Sequence, residues 1–323
     1  MKNFLLCLLS FLLFLLPINA QDSSIGNEDI PQQKNQGSEY ITNINFIATW
    51  PPQALLGVNQ NFKIPLMRFD NPLMKDNHIN FKIGAEISPV SLGAVTGITW
   101  VPVAFMELYT EATVGSGWNI PVKPKDIIGI GINENDSGKT HKKNLVLTNA
   151  VYSFSLGGAL QFDLGAVIPH DWSHVVFRMD QYALYHAMTG VSPETSWIYK
   201  DDSGQNRNGW KYQASYLIGY KMPIFLDLAA LKIDTEKKLY ASPKDLDRKT
   251  WGEDLIYTTF GPIINFNIKK DYNILLLAQW HTKPLYKGGS NDDFYQTRIL
   301  DTDKKTYVKF YQVGIIFHMN IKR

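Results

Sequence analysis

The stretch HDWSH sets His170 and His174 four residues apart, the spacing of a metal-ligating pair if the segment is helical. It bridges two runs of strand character, so the expected reading is a polar turn, and no metal is assigned. Asp171 and Ser173 bring the residue types of nucleophilic catalysis close by, yet on a turn that offers them no outer wall or rim on which to meet a substrate. The stretch NENDSGKT ends like a phosphate-binding loop, but GxxxxGK[ST] requires Gly where Asn133 stands. The same residues half-match a calcium loop through Asn133, Asn135, Ser137 and Gly138, with Asn144 where the bidentate Glu belongs. An exposed loop tip accounts for them. No catalytic residue and no cofactor is assigned.

A different chemistry runs along the strands. FMELYTEATV alternates, with Phe105, Glu107, Tyr109, Glu111 and Thr113 on one face and Met106, Leu108, Thr110, Ala112 and Val114 on the other. Period two is the signature of a strand with one polar and one apolar side. INFKIGAEI sets Ile79, Phe81, Ile83, Ala85 and Ile87 against Asn80, Lys82, Gly84 and Glu86. WKYQASYLIGYKM opposes an apolar, aromatic row to Lys211, Gln213, Ser215 and Lys221. YNILLLAQWHT does the same with Asn273, Gln279 and His281, although Leu275 and Leu277 blur the polar face. Either the apolar faces look into a soluble sandwich, or they look outward into lipid and the polar faces enclose a lumen.

The connections favour the second reading. Short turns fall near 101–103, 168–173, 222–223 and 268–271, while long polar loops run over 116–144, 188–208, 236–252 and 284–305. This alternation gathers the long loops at one end of a hairpin array, as in transmembrane barrels. Greek-key sandwiches show no such parity. Strands are expected at 40–50, 61–69, 79–88, 91–101, 104–115, 145–167, 174–187, 209–221, 224–235, 253–267, 272–283 and 306–321. That is an all-β chain of about 12 strands, an antiparallel up-and-down barrel with both termini at the short-turn end. Pro65 weakens the second of these strands, and Gly157-Gly158 could hide a hairpin in the sixth.

The ends bound the compartment. Residues 1–20 carry Lys2, an apolar core and Ala20, which read as a secretory signal peptide. Residues 21–39 form a polar leader, and 40–323 the barrel. Cys7 is the only cysteine and lies in the signal, so no disulfide or thiol chemistry is expected beyond it. The net charge of +2 points to no nucleic-acid partner.

Tyr272 and Trp280 share an apolar face eight residues apart, about 26 Å along a strand, and Trp210 and Tyr220 nearly repeat the spacing. Aromatics at both edges of an apolar band suit a bilayer interface. The last strand, YVKFYQVGIIFHMNIKR, sets Tyr311, Val313, Ile315, Phe317, Met319 and Ile321 against Phe310, Gln312, Gly314, His318 and Asn320. Here the chain resembles the outer-membrane β-barrel proteins of diderm bacteria, whose last strand is read by the barrel-assembly machinery. It ends in Lys322-Arg323 rather than in a terminal Phe. The resemblance implies outer-membrane localisation, the lipid bilayer and the assembly machinery as partners, and small solutes as possible cargo.

The expected lumen-facing ionisable residues are the acids Glu86, Glu107, Glu111, Asp163 and Asp180, the bases Lys82, Arg178, Lys211 and Lys221, and the histidines His281 and His318. Both signs occur, so they either pair across the lumen or offer Glu107 and Glu111 as two acidic steps to a solute. A narrow channel or transporter for small solutes is the primary expectation. The rivals are a closed barrel whose long loops bind a partner, a membrane-embedded enzyme, and a soluble periplasmic β-protein that buries Met106 and Leu108 between sheets.

The loop parity generates a topology test. Epitope tags at Gly204 or Gly289 are expected to be accessible on intact cells and a tag at Asp271 shielded. Surface exposure at Asp271 with shielding at Gly204 reverses the orientation.

Overall fold

Strands of 11 to 17 residues in an antiparallel sheet leave two options, an open edge or closure on itself. Here it closes. The computed structural model describes residues 38–66, 73–74, 76–122, 126–136, 139–200, 206–240, 255–269, 271–287, 299–301, 303 and 306–322. The expected signal peptide, most of the leader, Ser137, Gly138, Gly204 and Gly289 lie outside these residues.

The barrel strands in chain order are β1 (Glu39–Trp50), β2 (Gln53–Pro65), β3 (His78–Ser88), β4 (Ser91–Val103), β5 (Met106–Gly117), β6 (Val151–Asp163), β7 (Val175–Met188), β8 (Gly209–Lys221), β9 (Leu226–Lys238), β10 (Ile256–Lys269), β11 (Tyr272–Pro284) and β12 (Thr306–Lys322). Each pairs antiparallel with its sequence neighbours, and β12 returns to β1 in register from Ile41↔Lys322 to Trp50↔Val313. The result is a closed barrel of 12 strands, which leaves no open edge.

Both described ends of the chain, and the connections 104–105, 164–174, 222–225 and 270–271, lie at one end of the barrel. The long connections 118–150, 189–208, 239–255 and 285–305 lie at the other, as the parity predicts. Two expected boundaries need correction. β2 starts directly after the Pro51-Pro52 turn, eight residues before the expected 61, with Thr49 already opposite Gln53. Outward Gln60 and inward Leu55 weaken its alternation, and Pro65 is its last residue, where a missing N–H costs no ladder bond. β6 is one strand of 13 residues rather than 145–167. Gly157-Gly158 hides no hairpin, and Leu164–Ala166 form a 3-10 turn after it.

The outer face is apolar and open to the surroundings. Leu108, Leu156, Phe162, Ile218, Leu231 and Ile315 are all exposed, Leu156 by 61% and Ile218 by 55%. In water such a belt on every strand would drive aggregation; in hydrocarbon it is the matching surface. The few polar outer side chains satisfy one another, Thr42 donating to Gln60 (2.7 Å) and Tyr212 to Gln181 (2.8 Å). That is what a medium without water demands. Among the described residues no helix is long and apolar enough to cross a membrane; the strands do the crossing. The chain is an outer-membrane-type transmembrane β-barrel, with Met106 and Leu108 facing lipid and Glu107 and Glu111 inside.

All four expected interface aromatics stand on the outer face. Trp210 lies at the long-loop edge, edge-on to Tyr185 at 5.4 Å, and Trp280 lies edge-on to Phe310 at 5.9 Å. Tyr272 meets Phe317 at 6.1 Å at the opposite edge, where Tyr220 donates to the Trp172 carbonyl at 2.5 Å.

A bulge in β12 corrects the expected faces of that strand. Gln279 pairs with Gln312 but Trp280 pairs with Phe310, so Tyr311 is the extra residue. Beyond an inserted residue the alternation reverses. Phe310 therefore faces outward with Trp280, and Tyr311 turns inward to stack on His281 at 4.7 Å.

Arg at Leu276 is expected to lower barrel stability by about 2–4 kcal/mol, because it places a charge on the lipid face toward mid-depth, and Arg at Ile218, nearer the Tyr220 edge, by less. Gln213→Arg, inside and beside Glu236, is expected to cost far less. Comparable losses of the folded, heat-modifiable band for all three would show that the faces are wrongly assigned.

Candidate lumenal site

Inward side chains on neighbouring strands line up in rows, and their sizes alternate around each row. Lys82 lies level with Gly97, which lies level with Glu111. The missing side chain at Gly97 lets Lys82 reach across β4 and pair with Glu111. One row over, Gly157 lies between Tyr109 and Tyr182. The two rings meet edge-on above it at 6.2 Å, in space that a Cβ on Gly157 would invade. Ala159 separates Glu107 from Asp180 in the same way.

These rows carry several side-chain clusters, the largest around Arg178 toward the short turns. Arg178 grips Glu107 through two parallel bonds, Nη1–Oε1 at 3.0 Å and Nη2–Oε2 at 2.7 Å, a geometry that fixes both groups. It also reaches Asp180 at 3.3 Å and Gln161 at 3.1 Å. Tyr109 donates to the other oxygen of Asp180. On the far side of Tyr182, Lys211 lies 3.5 Å from Glu236, which takes a 2.6 Å bond from Gln213, and Lys232 holds Asp234 at 2.8 Å.

The expected lumen residues thus divide. Glu107 and Asp180 meet at Arg178, Lys82 pairs with Glu111 and Lys211 with Glu236, so Glu107 and Glu111 are each paired rather than standing as free acidic steps. Glu86 pairs with Lys200, a loop residue. His281 stacks with Tyr311, and His318 bonds Asn45 on the β1 side. Asp163 and Lys221 stand at the short-turn rim. Asp163 there accepts from Gly165 N at 2.9 Å and holds His174 at 2.8 Å.

Those contacts also settle the HDWSH turn. His170 Nδ1 accepts from the Trp172 amide at 3.1 Å, and Ser173 Oγ is directed at the Ile168 and His170 carbonyls. The His170, Ser173, His174 and Asp163 side chains are spent on closing the turn. Among the described residues no cluster of three His, Cys, Asp or Glu side chains could hold a metal ion.

Reading the sequence missed Tyr109, Tyr182, Lys200, Asp234 and Glu236. Ending the ninth strand at 235 cut off Glu236 and Lys238, although the alternation Lys232, Asp234, Glu236, Lys238 continues into them. Lys200 carries no periodic signal, because a loop delivers it.

Among the described residues, cavities open at both ends of the lumen. One of about 670 Å³ opens toward the long loops between β7 and β12, with Tyr182, Asp234, Tyr257, His281 and Tyr311 on its wall. The other, of about 530 Å³, lies toward the short turns against β1–β6, with Asn43, Asn61, Asn80, Glu107 and Gln161 on its wall. Tyr182 borders the first and Glu107 the second, so the layer containing Tyr109, Arg178 and Asp180 lies between them.

Another part of the long-loop mouth is filled by the chain itself. Segments 118–150 and 189–208 fold together as a small three-stranded sheet of Ile130–Asp136, Lys139–Asn144 and Trp197–Tyr199. Trp197, Ile130, Met188 and Leu145 form a dry cluster beneath it. Asn208 staples this plug: its Oδ1 accepts from the Met188 amide (2.9 Å) and the Trp197 indole (3.0 Å). Its Nδ2 donates to the Met188 and Val191 carbonyls at 3.3 and 3.0 Å. Burial, with Glu86 nearby, pushes the Tyr199 hydroxyl well above the usual tyrosine range, so it stays protonated.

No protein-family model and no curated protein matches the chain. Among solved structures it is similar to the β-domain of the Bordetella autotransporter BrkA, at 8% identity and a TM-score of 0.43, over 88% of this chain and 98% of that one. It is similar to the translocator domain of the autotransporter NalP from Neisseria meningitidis, at 9% identity and 0.33, over 89% of each chain. Pseudomonas aeruginosa OccK11 follows at 6% identity and 0.27, over 88% and 96%. Likeness at this level carries nothing about function.

Asn208→Ala removes all four staple bonds and leaves buried backbone groups unpaired, at about 1–3 kcal/mol for each such group. The expected outcome is faster proteolysis within 189–207, while the barrel keeps its heat-modifiable mobility. Unchanged protease resistance would show that the plug is held by other contacts.

Proposed function

We propose that this barrel is a narrow channel that passes small polar solutes across the outer membrane. The observation that carries the reading is the pair of cavities at opposite ends of one lumen, separated by a layer of side chains around Arg178. Side chains can re-pair and swing on fast timescales, whereas a main-chain septum would have to unfold. The layer is close to charge-balanced, Lys82 and Arg178 against Glu107, Glu111 and Asp180. It therefore supports passage of polar solutes with weak ion preference rather than a filter of one sign.

No catalytic role is assigned, since the residue types that invite one at 163–174 build a turn. Insertion by the barrel-assembly machinery is the expectation that the alternating face of β12 carries.

The double change Glu107→Gln and Glu111→Gln removes two negative charges and leaves Lys82 and Arg178 in the layer. In planar bilayers the wild-type chain is expected to conduct in small steps with a weak cation preference. The double variant is expected to reverse to a weak anion preference with raised conductance. Wild-type protein that inserts and stays silent would overturn the channel reading in favour of a closed barrel. Unchanged selectivity and conductance in a folded double variant would remove the layer from the path.

A further inference from the structure

We infer that the cavity at the long-loop end is a binding site for a neutral, polyhydroxylated solute of mono- to disaccharide size. This deepens the channel reading, on which it rests for the solute's onward route but not for its binding. The first support is the wall. Tyr182, Tyr257, His281 and Tyr311 bring four rings to one cavity, and among the described residues Ala214 and Pro284 are its aliphatic lining. The His281 and Tyr311 rings lie nearly parallel, 17° apart, and Lys238 covers one face of Tyr257 at 4.4 Å. Flat rings take the C–H faces of a pyranose, while the hydroxyls around its edge need donors and acceptors.

The second support is how the charges are used. Lys232 and Asp234 hold each other at 2.8 Å, and Glu236 holds Gln213 at 2.6 Å with Lys211 at 3.5 Å. A zwitterion would need a free carboxylate beside its cation partner, and Asp234 is held by Lys232 and Glu236 by Gln213 and Lys211. A carboxylate has about four lone-pair sites, so Asp234 and Glu236 can still accept from hydroxyls without losing their partners. Gln53, Ser215 and Thr259 add neutral donors and acceptors on the same wall. The third support is size. About 670 Å³ lies within the range of small-molecule sites, roughly 300–1,000 Å³. Lys283 adds one positive charge to the wall, which makes a small anion the competing occupant.

The test is calorimetric titration of the purified full chain in detergent with glucose and sucrose, and with glucose 6-phosphate and glycine as the anionic and zwitterionic probes. Bilayer conductance is recorded on the same preparation. Saturable millimolar binding of a neutral sugar is expected, weaker by tenfold or more in Tyr257→Ala/Tyr311→Ala. Asp234→Asn, which frees Lys232, is expected to gain several-fold affinity for glucose 6-phosphate. Heat-modifiability identifies folded variants, and the wild-type order of the four probes decides the matter even if a variant fails to fold. Glucose 6-phosphate or glycine bound more tightly than both sugars overturns the inference, as does sugar binding unmoved in a folded tyrosine double variant. Conductance without saturable sugar binding overturns it while leaving the channel reading in place. Sugar binding without conductance sustains it and removes the channel.

Discussion

Everything in this barrel depends on the hydrogen-bonded seam between β1 and β12. In a bilayer each backbone N–H or C=O left unpaired costs several kcal/mol, because no water reaches it. A sheet with one free edge would carry that cost along a whole strand. Closing from Ile41↔Lys322 to Trp50↔Val313 removes it. Closure then gives every strand an inside and an outside, and the alternation of Leu108 with Glu107 and Tyr109 acquires its meaning. The sheet would be a poor soluble domain for the same reason that it is a good transmembrane one.

Closure also confines twelve rows of inward side chains to one narrow lumen, and size complementarity decides how they share it. Gly97 between Lys82 and Glu111, Gly157 between Tyr109 and Tyr182, and Ala159 between Glu107 and Asp180 follow one rule: a small residue on the intervening strand lets two long ones meet. The pairs form along the wall instead of each charge projecting alone into the lumen. The charges of the layer between the two cavities therefore nearly cancel. Paired charges at partial exposure contribute little to stability. Their larger consequence is to fix which groups a passing solute meets.

The long loops follow a separate logic. Segments 118–150 and 189–208 have enough apolar residues, Ile130, Leu145 and Trp197 among them, to make a small dry core of their own. They fold into one side of the mouth, where Lys200 reaches Glu86, and the larger cavity lies against β7–β12.

The sequence by itself determined the period-two faces, the strand count, the loop parity and the placement of Trp210, Tyr220, Tyr272 and Trp280 on the outer face. These are local properties, since alternation and turn residues act within one strand or one hairpin. It also identified Lys82, Glu107, Glu111, Arg178, Asp180 and Lys211 as inward, because facing follows from parity alone. What it did not determine is who pairs with whom. The meeting of Lys82 with Glu111 spans three strands and depends on the register that sets Gly97 between them. The inward turn of Tyr311 depends on a bulge measured against β11, and the reach of Lys200 to Glu86 on how two distant loops fold together. Register, bulges and loop packing come from contacts between segments far apart in the chain, and only the closed tertiary structure brings those segments into contact.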